Sequence, residues 1–365
     1  MRTILVSDLH LGTRSGADLT RRPEFADLLV REIEGMDEVV LLGDVLELRD
    51  RPIAEAVELA APLFEKIGEA VGDGRVVVVP GNHDHQLLGP WLDRRRLRGA
   101  APLGLEQLAK ANAGALGSLA RRTGKAEVVL AYPGIWVRDG VYATHGHYLD
   151  VHLTVPTFER LGVGAIERLL GGLPADGRTP DDYEAVQVPL YSFLYGLAQG
   201  GERTQRVSGA NASARVWAAV YGRGGRAPSR RGKAVGKVAV PGAVRLAERL
   251  GIRPLRSDLS GAEIGHAGVR AMAEVVRRLR IEAEHVIFGH THRRGPVDGE
   301  PGWSLDSGAR LHNTGSWVYS PGILGRSSRD SQFWPGSAIV VEDGATPQLR
   351  ALLDDHSHAD LREAA

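Results

Sequence analysis

The sequence predicts an α/β fold whose chemistry sits where strands end, and two observations predict it. Short β-branched runs alternate with helical patterns through the first third of the chain, and nearly every such run stops in a cluster of Asp, His, Asn and Gly. The order is βαβαβ: a strand Thr3 to Val6, a helix Pro23 to Glu34, a strand Glu38 to Leu42, a helix Ile53 to Val71 and a strand Arg75 to Val79. The three strands end respectively in Ser7-Asp8-Leu9-His10, Gly43-Asp44 and Gly81-Asn82-His83-Asp84. The carboxyl ends of parallel strands in such sheets face one crevice, so these clusters are expected to meet. Two further strands, Gly140 to Ala143 and His285 to Phe288, run into Thr144-His145-Gly146-His147 and Gly289-His290-Thr291-His292. Short strands at Ser316 to Tyr319, Ser337 to Val341 and Gln348 to Leu352 then suggest a second, more antiparallel sheet.

Composition narrows the chemistry. The 365 residues, 43% of them hydrophobic, suffice for one large domain or a domain with an insertion. Lys plus Arg number 45 and Asp plus Glu 45, which gives no overall electrostatic case for nucleic acid or an anionic membrane as partner. With no cysteine, disulfides, thiolate metal sites and cysteine nucleophiles are excluded, and any metal must be held by nitrogen and oxygen. The N-terminus reaches Asp8 without an apolar leader, and no apolar run is long enough to span a bilayer, so a cytoplasmic location is expected.

Strand signals vanish between Asp150 and Ala262, where helical stretches Phe158 to Leu170 and Leu190 to Ala198 precede a basic, Gly-rich segment, Tyr221 to Lys237. The expected division is a core of residues 1–149 and 263–353, an inserted helical cap of residues 150–262 with a flexible basic loop, and a fraying polar tail, 354–365. Tyr191, Phe193, Leu194 and Tyr195, with Leu190 and Leu197, form an apolar stripe. At helical spacing such a stripe reads first as a small core or a homodimer contact, and second as a lid for an acyl chain. The basic segment offers a peripheral contact for a membrane surface, although a solvated loop is its plainer reading.

Taken one at a time, an Asp-x-His or a Gly-Asp at a strand end reads as a cap or turn. The ordered set Asp8-x-His10, Gly43-Asp44, Gly81-Asn82-His83-Asp84, His145 and Gly289-His290-Thr291-His292 resembles the motif series of the calcineurin-like metallophosphoesterase superfamily, over residues 1 to 150 and 280 to 345. That resemblance implies a four-layer α/β/β/α sandwich and two divalent metal ions. Asp8, His10, Asp44 and His292 would hold the first and Asp44, Asn82, His145 and His290 the second, with Asp44 as the bridge. Manganese is the expected metal, with iron or zinc also suited to such donors. A hydroxide bridging two ions would attack the phosphorus, His83 would protonate the leaving group, and Asp84 would orient the His83 ring. Asp84 reads equally well as a helix cap. Arg14 reads as a phosphate contact or a solvated side chain, His147 and Asp150 first as a surface loop pair and second as groups lining the pocket or approaching a metal, and His85, His152, His266, His285, His312, His356 and His358 as structural or exposed.

Ser7-Asp8-Leu9-His10-Leu11-Gly12, the Gly-His-Thr-His motif and Asn313-Thr314-Gly315-Ser316-Trp317 are similar to the branch of UDP-2,3-diacylglucosamine pyrophosphatases. His83, where many of those enzymes carry arginine, and the long insertion depart from that branch. The expected substrate is a phosphorylated small molecule or a lipid-linked diphosphate. A DNA exonuclease and a catalytically silent scaffold are the rival readings, the first disfavoured by the balanced charge and the second by the complete ligand set.

Overall fold

The computed structural model describes residues 1–155, 157–169, 178–200, 261–324 and 330–362. The basic segment Tyr221 to Lys237 lies outside these residues. The strands are β1 (Arg2–Val6), β2 (Glu38–Leu41), β3 (Arg75–Val78), β4 (Glu106–Lys110), β5 (Glu127–Arg138), β6 (Val141–Thr144), β7 (His285–Phe288), β8 (Arg294–Gly295), β9 (Arg310–Thr314), β10 (Ser337–Glu342) and β11 (Gln348–Ala351). They join in one hydrogen-bonded sheet, in the order β11-β10-β1-β2-β3-β5-β6-β7-β9-β8, with β4 beside β5. The separate second sheet expected from the sequence is thus continuous with the first. The 12-residue β5 pairs parallel with β3 along its first half and antiparallel with β6 along its second.

Side chains that alternate along each strand supply different apolar layers. Ile4, Val39 and Val76 face α1 (Pro23–Ile33) and α2 (Ile53–Val71), in a cluster with Phe25, Leu29, Ala60 and Phe64. Their neighbours Leu5, Val40 and Val77 share a second cluster with Ala143 and Ile287 from the other half of the sheet. The opposite faces of β6 and β7, through Tyr142, Val286 and Phe288, pack with Met272 and Val275 of the helix Gly261–Leu279.

Beyond β3 lie α3 (Gly89–Leu97) and α4 (Gly114–Ala120), and beyond β6 lie α5 (Phe158–Leu169) and α6 (Pro180–Gln199); α7 is the helix Gly261–Leu279. Tyr183, Val186, Leu190, Tyr191 and Leu194 of α6 and Val163 of α5 belong to the same cluster as α7 and β7. The described helices of the expected insertion therefore share the core of the main body. Of the apolar stripe, Leu190, Tyr191 and Leu194 are buried, and Phe193 is exposed.

Two further expectations are corrected. Ser316 to Tyr319 is not a strand, because β9 ends at Thr314 and only Val318 makes an isolated bridge, to Asp18. The tail does not fray as far as residue 362: Ser357 and Asp360 form a capping box, Leu361 is buried, and Arg22 donates to the Leu361 and Asp360 carbonyls.

Candidate metal centre

The strand ends deliver their clusters to one place. Asp8 and His10 follow β1, Asp44 follows β2, Asn82 and His83 follow β3, His145 follows β6, and His290 and His292 follow β7. These tight exits strain the backbone. Six described non-glycine residues have positive φ, and five of them are Asp8, His10, Asp44, His290 and His292, at 47° to 66°. Left-handed backbone at a side-chain-bearing residue costs roughly 1–3 kcal/mol and persists where the surroundings enforce it. Here the enforcement is visible: Asp8 N donates to Gly43 O and His10 N to Asp44 O at 3.0 and 2.8 Å, binding the first two loops together. Asn313 Nδ2 reaches Gly289 O and Thr291 Oγ1, both at 3.0 Å, to brace the last loop. A Cβ on Gly81 would overlap the Asp44 carboxylate and the His145 ring, so close approach requires glycine there.

Asp8, His10 and His292 bring one donor atom each within 4.8 Å of one another, and so do Asp44, His145 and His290. Between the two groups lies Asp44 Oδ2, 3.7 Å from His10 Nε2 and 3.3 Å from His145 Nε2. Three imidazoles are locked by the nitrogen that points away. His10 Nδ1 donates to Glu47 Oε2 at 3.0 Å, His145 Nδ1 to Leu42 O at 2.9 Å, and His290 Nε2 to Asp150 Oδ1 at 2.8 Å. Each of these turns the remaining nitrogen into the cluster, where its lone pair can hold a metal ion in place of a proton.

Atoms able to hold a metal then crowd together. His10 Nε2 and His292 Nε2 lie 3.2 Å apart, and the buried Asp8 Oδ1 lacks a hydrogen-bond partner while facing His292 Nε2 at 3.2 Å. Asn82 Oδ1 faces His145 Nε2, His290 Nδ1 and Asp44 Oδ2 at 3.1, 3.1 and 3.2 Å, a setting in which an amide oxygen finds no donor. Buried acceptors grouped without donors are unfavourable unless a cation sits among them. The imidazole, carboxylate and amide-oxygen donors suit a divalent transition metal.

A family model described as calcineurin-like phosphoesterase matches residues 1–193, which is more than half of the 365 residues. The chain belongs to the calcineurin-like phosphoesterase family. It is accordingly a metal-dependent hydrolase of phosphoesters, acting as a phosphatase or phosphodiesterase. No protein of curated function matches it. Among solved structures, a dimetal phosphatase from Danio rerio is similar over 94% of this chain and 93% of that one, at 13% identity and a TM-score of 0.34, too loose a likeness to carry an argument.

Three side chains of this phosphoesterase work beside the expected set without having been singled out from sequence for the parts they play. Glu47 is buried, and its Oε2 accepts from both His10 Nδ1 and His83 Nδ1, the latter at 2.7 Å. The orienting carboxylate expected at Asp84 is therefore Glu47. Asp84 spends one oxygen on Gly81 N at 2.7 Å and the other on Val45 N and Leu46 N at 2.8 and 3.3 Å, so it ties the second and third loops together as a backbone cap. Asp150, expected on a surface loop with His147, is buried against His290, and His147 is buried as well. Arg49 is the third, its guanidinium lying beside Asn82 and His83. Arg14 remains outside, its amide and Nε bonded to Asp50. Among the other histidines, His85 is bonded to Glu184 of α6 at 3.0 Å and His285 to His312 at 3.0 Å.

Burial and neighbouring charges compete at each group, and the charges win at Asp8 and His145. Burial opposes ionisation of Asp8, yet the imidazoles of His292 and His10 hold that carboxyl below the ordinary range. Burial also opposes charging of His145, but the Asp44 carboxylate raises its pKa to about 9. His83 is lowered by burial and by the Arg49 cation, against the pull of Glu47. Burial and the nearby Asp44 raise Asp84 to about 6.

Proposed function

We propose that this protein hydrolyses a phosphoester or diphosphate bond at a binuclear centre, with Asp8, His10, Asp44 and His292 holding one divalent ion and Asp44, Asn82, His145 and His290 the other. The observation that carries this reading is the inward lone-pair cluster. Imidazoles fixed by Glu47, Leu42 O and Asp150, with Asp8 Oδ1 lacking a donor and the Asn82 amide set among three acceptors, make a site that divalent cations would complete. Asp44 Oδ2, between the two groups, is placed to be shared. Two divalent ions, when bound, acidify water and neutralise charge on phosphoryl oxygens. Manganese remains the preferred pair, on resemblance.

The chain's own part is orientation and proton handling. Glu47 Oε2 accepts from His83 Nδ1 and favours the protonated ring against burial, so that Nε2 can donate to a leaving oxygen. Leu5, Val40 and Val77 sharing a cluster with Ala143 and Ile287 supports a four-layer α/β/β/α sandwich around this crevice, because the sheet then encloses apolar side chains between its halves. The helices α5 and α6 would supply the covering side, as part of an insertion spanning 150–262. Among the described residues no helix is long and apolar enough to cross a membrane. The substrate would be a phosphorylated small molecule or lipid-linked diphosphate.

Metal analysis, followed by a panel of aryl phosphomonoester, aryl phosphodiester, cyclic nucleotide, nucleotide-sugar diphosphate and single-stranded DNA, tests the proposal. Manganese-dependent turnover of at least one phosphoester supports it; a metal-loaded protein inactive on the whole panel favours a silent scaffold.

A further inference from the structure

Arg49 sits at the edge of the cluster, beside Asn82 and His83. It is 2% exposed, its Nε donates to Asn82 O at 3.1 Å, and its Nη1 lies 3.4 Å from His83 Nε2. With Asn82 Oδ1 turned to the metal-binding side, the amide nitrogen faces Arg49 Nη2 and Nη1 at 3.0 and 3.2 Å. Those are donors against donors. The guanidinium's ion pair among the described residues is with Glu159 of α5, at 3.5 Å, and its Cζ lies 4.9 Å from the Tyr191 ring centroid of α6. Beside His83 Nε2, Arg49 and the Asn82 amide nitrogen therefore leave donors that call for an acceptor, and Glu159 supplies only a loose one.

Resting on the function proposed above, we propose that Arg49 binds a negatively charged leaving group, so that the bond cleaved joins two phosphates, and that Glu159 stands in for that anion in the free protein. His83 Nε2 marks the leaving-group side in that reading, and Arg49 Nη1 is beside it. A guanidinium fork matches two phosphate oxygens, and a second phosphate would accept from the Asn82 amide as well. A neutral alkyl or aryl leaving group would leave these buried donors unpaired, which is penalised. In the step itself, water's oxygen bonds to one phosphorus while the bond from that phosphorus to the bridging oxygen breaks. The bridging oxygen departs with the electron pair as a terminal oxygen of the second phosphate. One water is consumed, its protons pass to the products or solvent, and two monophosphates result.

The test compares wild type with Arg49→Ala, Arg49→Lys and Glu159→Gln, all loaded with manganese. It reads kcat/KM on a nucleotide-sugar diphosphate and on 4-nitrophenyl phosphate, and calorimetric binding of methylenediphosphonate and of inorganic phosphate. Loss of a charge-assisted contact predicts that Arg49→Ala weakens diphosphate turnover and methylenediphosphonate binding by roughly 10- to 100-fold. Aryl phosphate turnover and phosphate binding should fall by a clearly smaller factor than the two diphosphate readouts, since a contact to a second phosphate is absent there. Arg49→Lys should fall between, and Glu159→Gln should tighten methylenediphosphonate. Equal losses on both substrates, or methylenediphosphonate binding indifferent to Arg49, overturn the inference while leaving the hydrolase standing. If wild type cleaves neither substrate, the proposed function is at fault, and the two binding measurements still decide the role of Arg49.

Discussion

Replacing Glu47 with Gln changes one charge and almost no volume. Glu47 Oε2 holds His10 at 3.0 Å and His83 at 2.7 Å, while Oε1 accepts from Arg49 N at 3.0 Å. A carboxylate can accept on both sides, whereas an amide cannot. With its oxygen towards the histidines, Gln places its NH2 against the Arg49 amide; turned over, it places NH2 against two imidazole N–H groups. Either way a buried donor loses its acceptor, and the bonds that remain lose their charge assistance, at about 1.5–3 kcal/mol for such a contact. Every 1.4 kcal/mol is about tenfold, which agrees with the roughly 10- to 100-fold loss of metal affinity expected when a partner of a ligating histidine is removed. Titration of metal-free protein with manganese, followed calorimetrically, should show this loss at the site containing His10 and little change at the one containing His145 and His290. The pH profile of turnover should shift as well, because Glu47 raises the pKa of His83 against burial and Arg49. Wild-type affinity together with a wild-type pH profile would refute the reasoning.

Asp150→Asn should weaken the other site by a similar roughly 10- to 100-fold, since the His290 ring loses its anionic tether, with manganese titration as the readout. Half-buried His152 and buried His312 have pKa values lowered to about 3, the first by desolvation and Arg178, the second by desolvation and His285. Both are neutral when folded and free to protonate near 6.5 when unfolded, so the unfolded chain binds more protons between about pH 6.5 and about 3 and stability falls as pH drops through that window. Urea midpoints at pH 6.5 and 4.5 check it: the midpoint should be lower at pH 4.5, by less in His152→Gln than in wild type.

The proposed ligand residues are legible because each follows a strand in a short polar cluster whose order and residue types carry chemistry in one dimension. Glu47, Arg49 and Asp150 carry no such signal. Glu47 and Arg49 lie in a buried loop after Asp44, where a charged pair reads as solvated surface, and their partners are more than 30 residues away. Asp150 becomes a tether for His290 because a 3-10 turn, His147–His152, folds it back across 140 residues of sequence. Asp84 was read towards the adjacent imidazole, yet the backbone amides of two loops compete for its oxygens and take both. In the fold, β5 carries a weak sequence signal because Pro133 and Gly134 interrupt it, residues that sit where its pairing passes from β3 to β6. The run after Asn313 reads as a strand by its aromatic and β-branched residues, but Gly315, at φ 76°, turns the chain there.

The central claim is that Asp44 is shared by two ions. Electron paramagnetic resonance of the manganese-loaded protein tests it directly: the account predicts a spin-coupled pair, as for ions about 3.5–4 Å apart, that collapses in Asp44→Asn together with turnover. Uncoupled ions in wild type, or a coupled pair that survives the substitution, would contradict it.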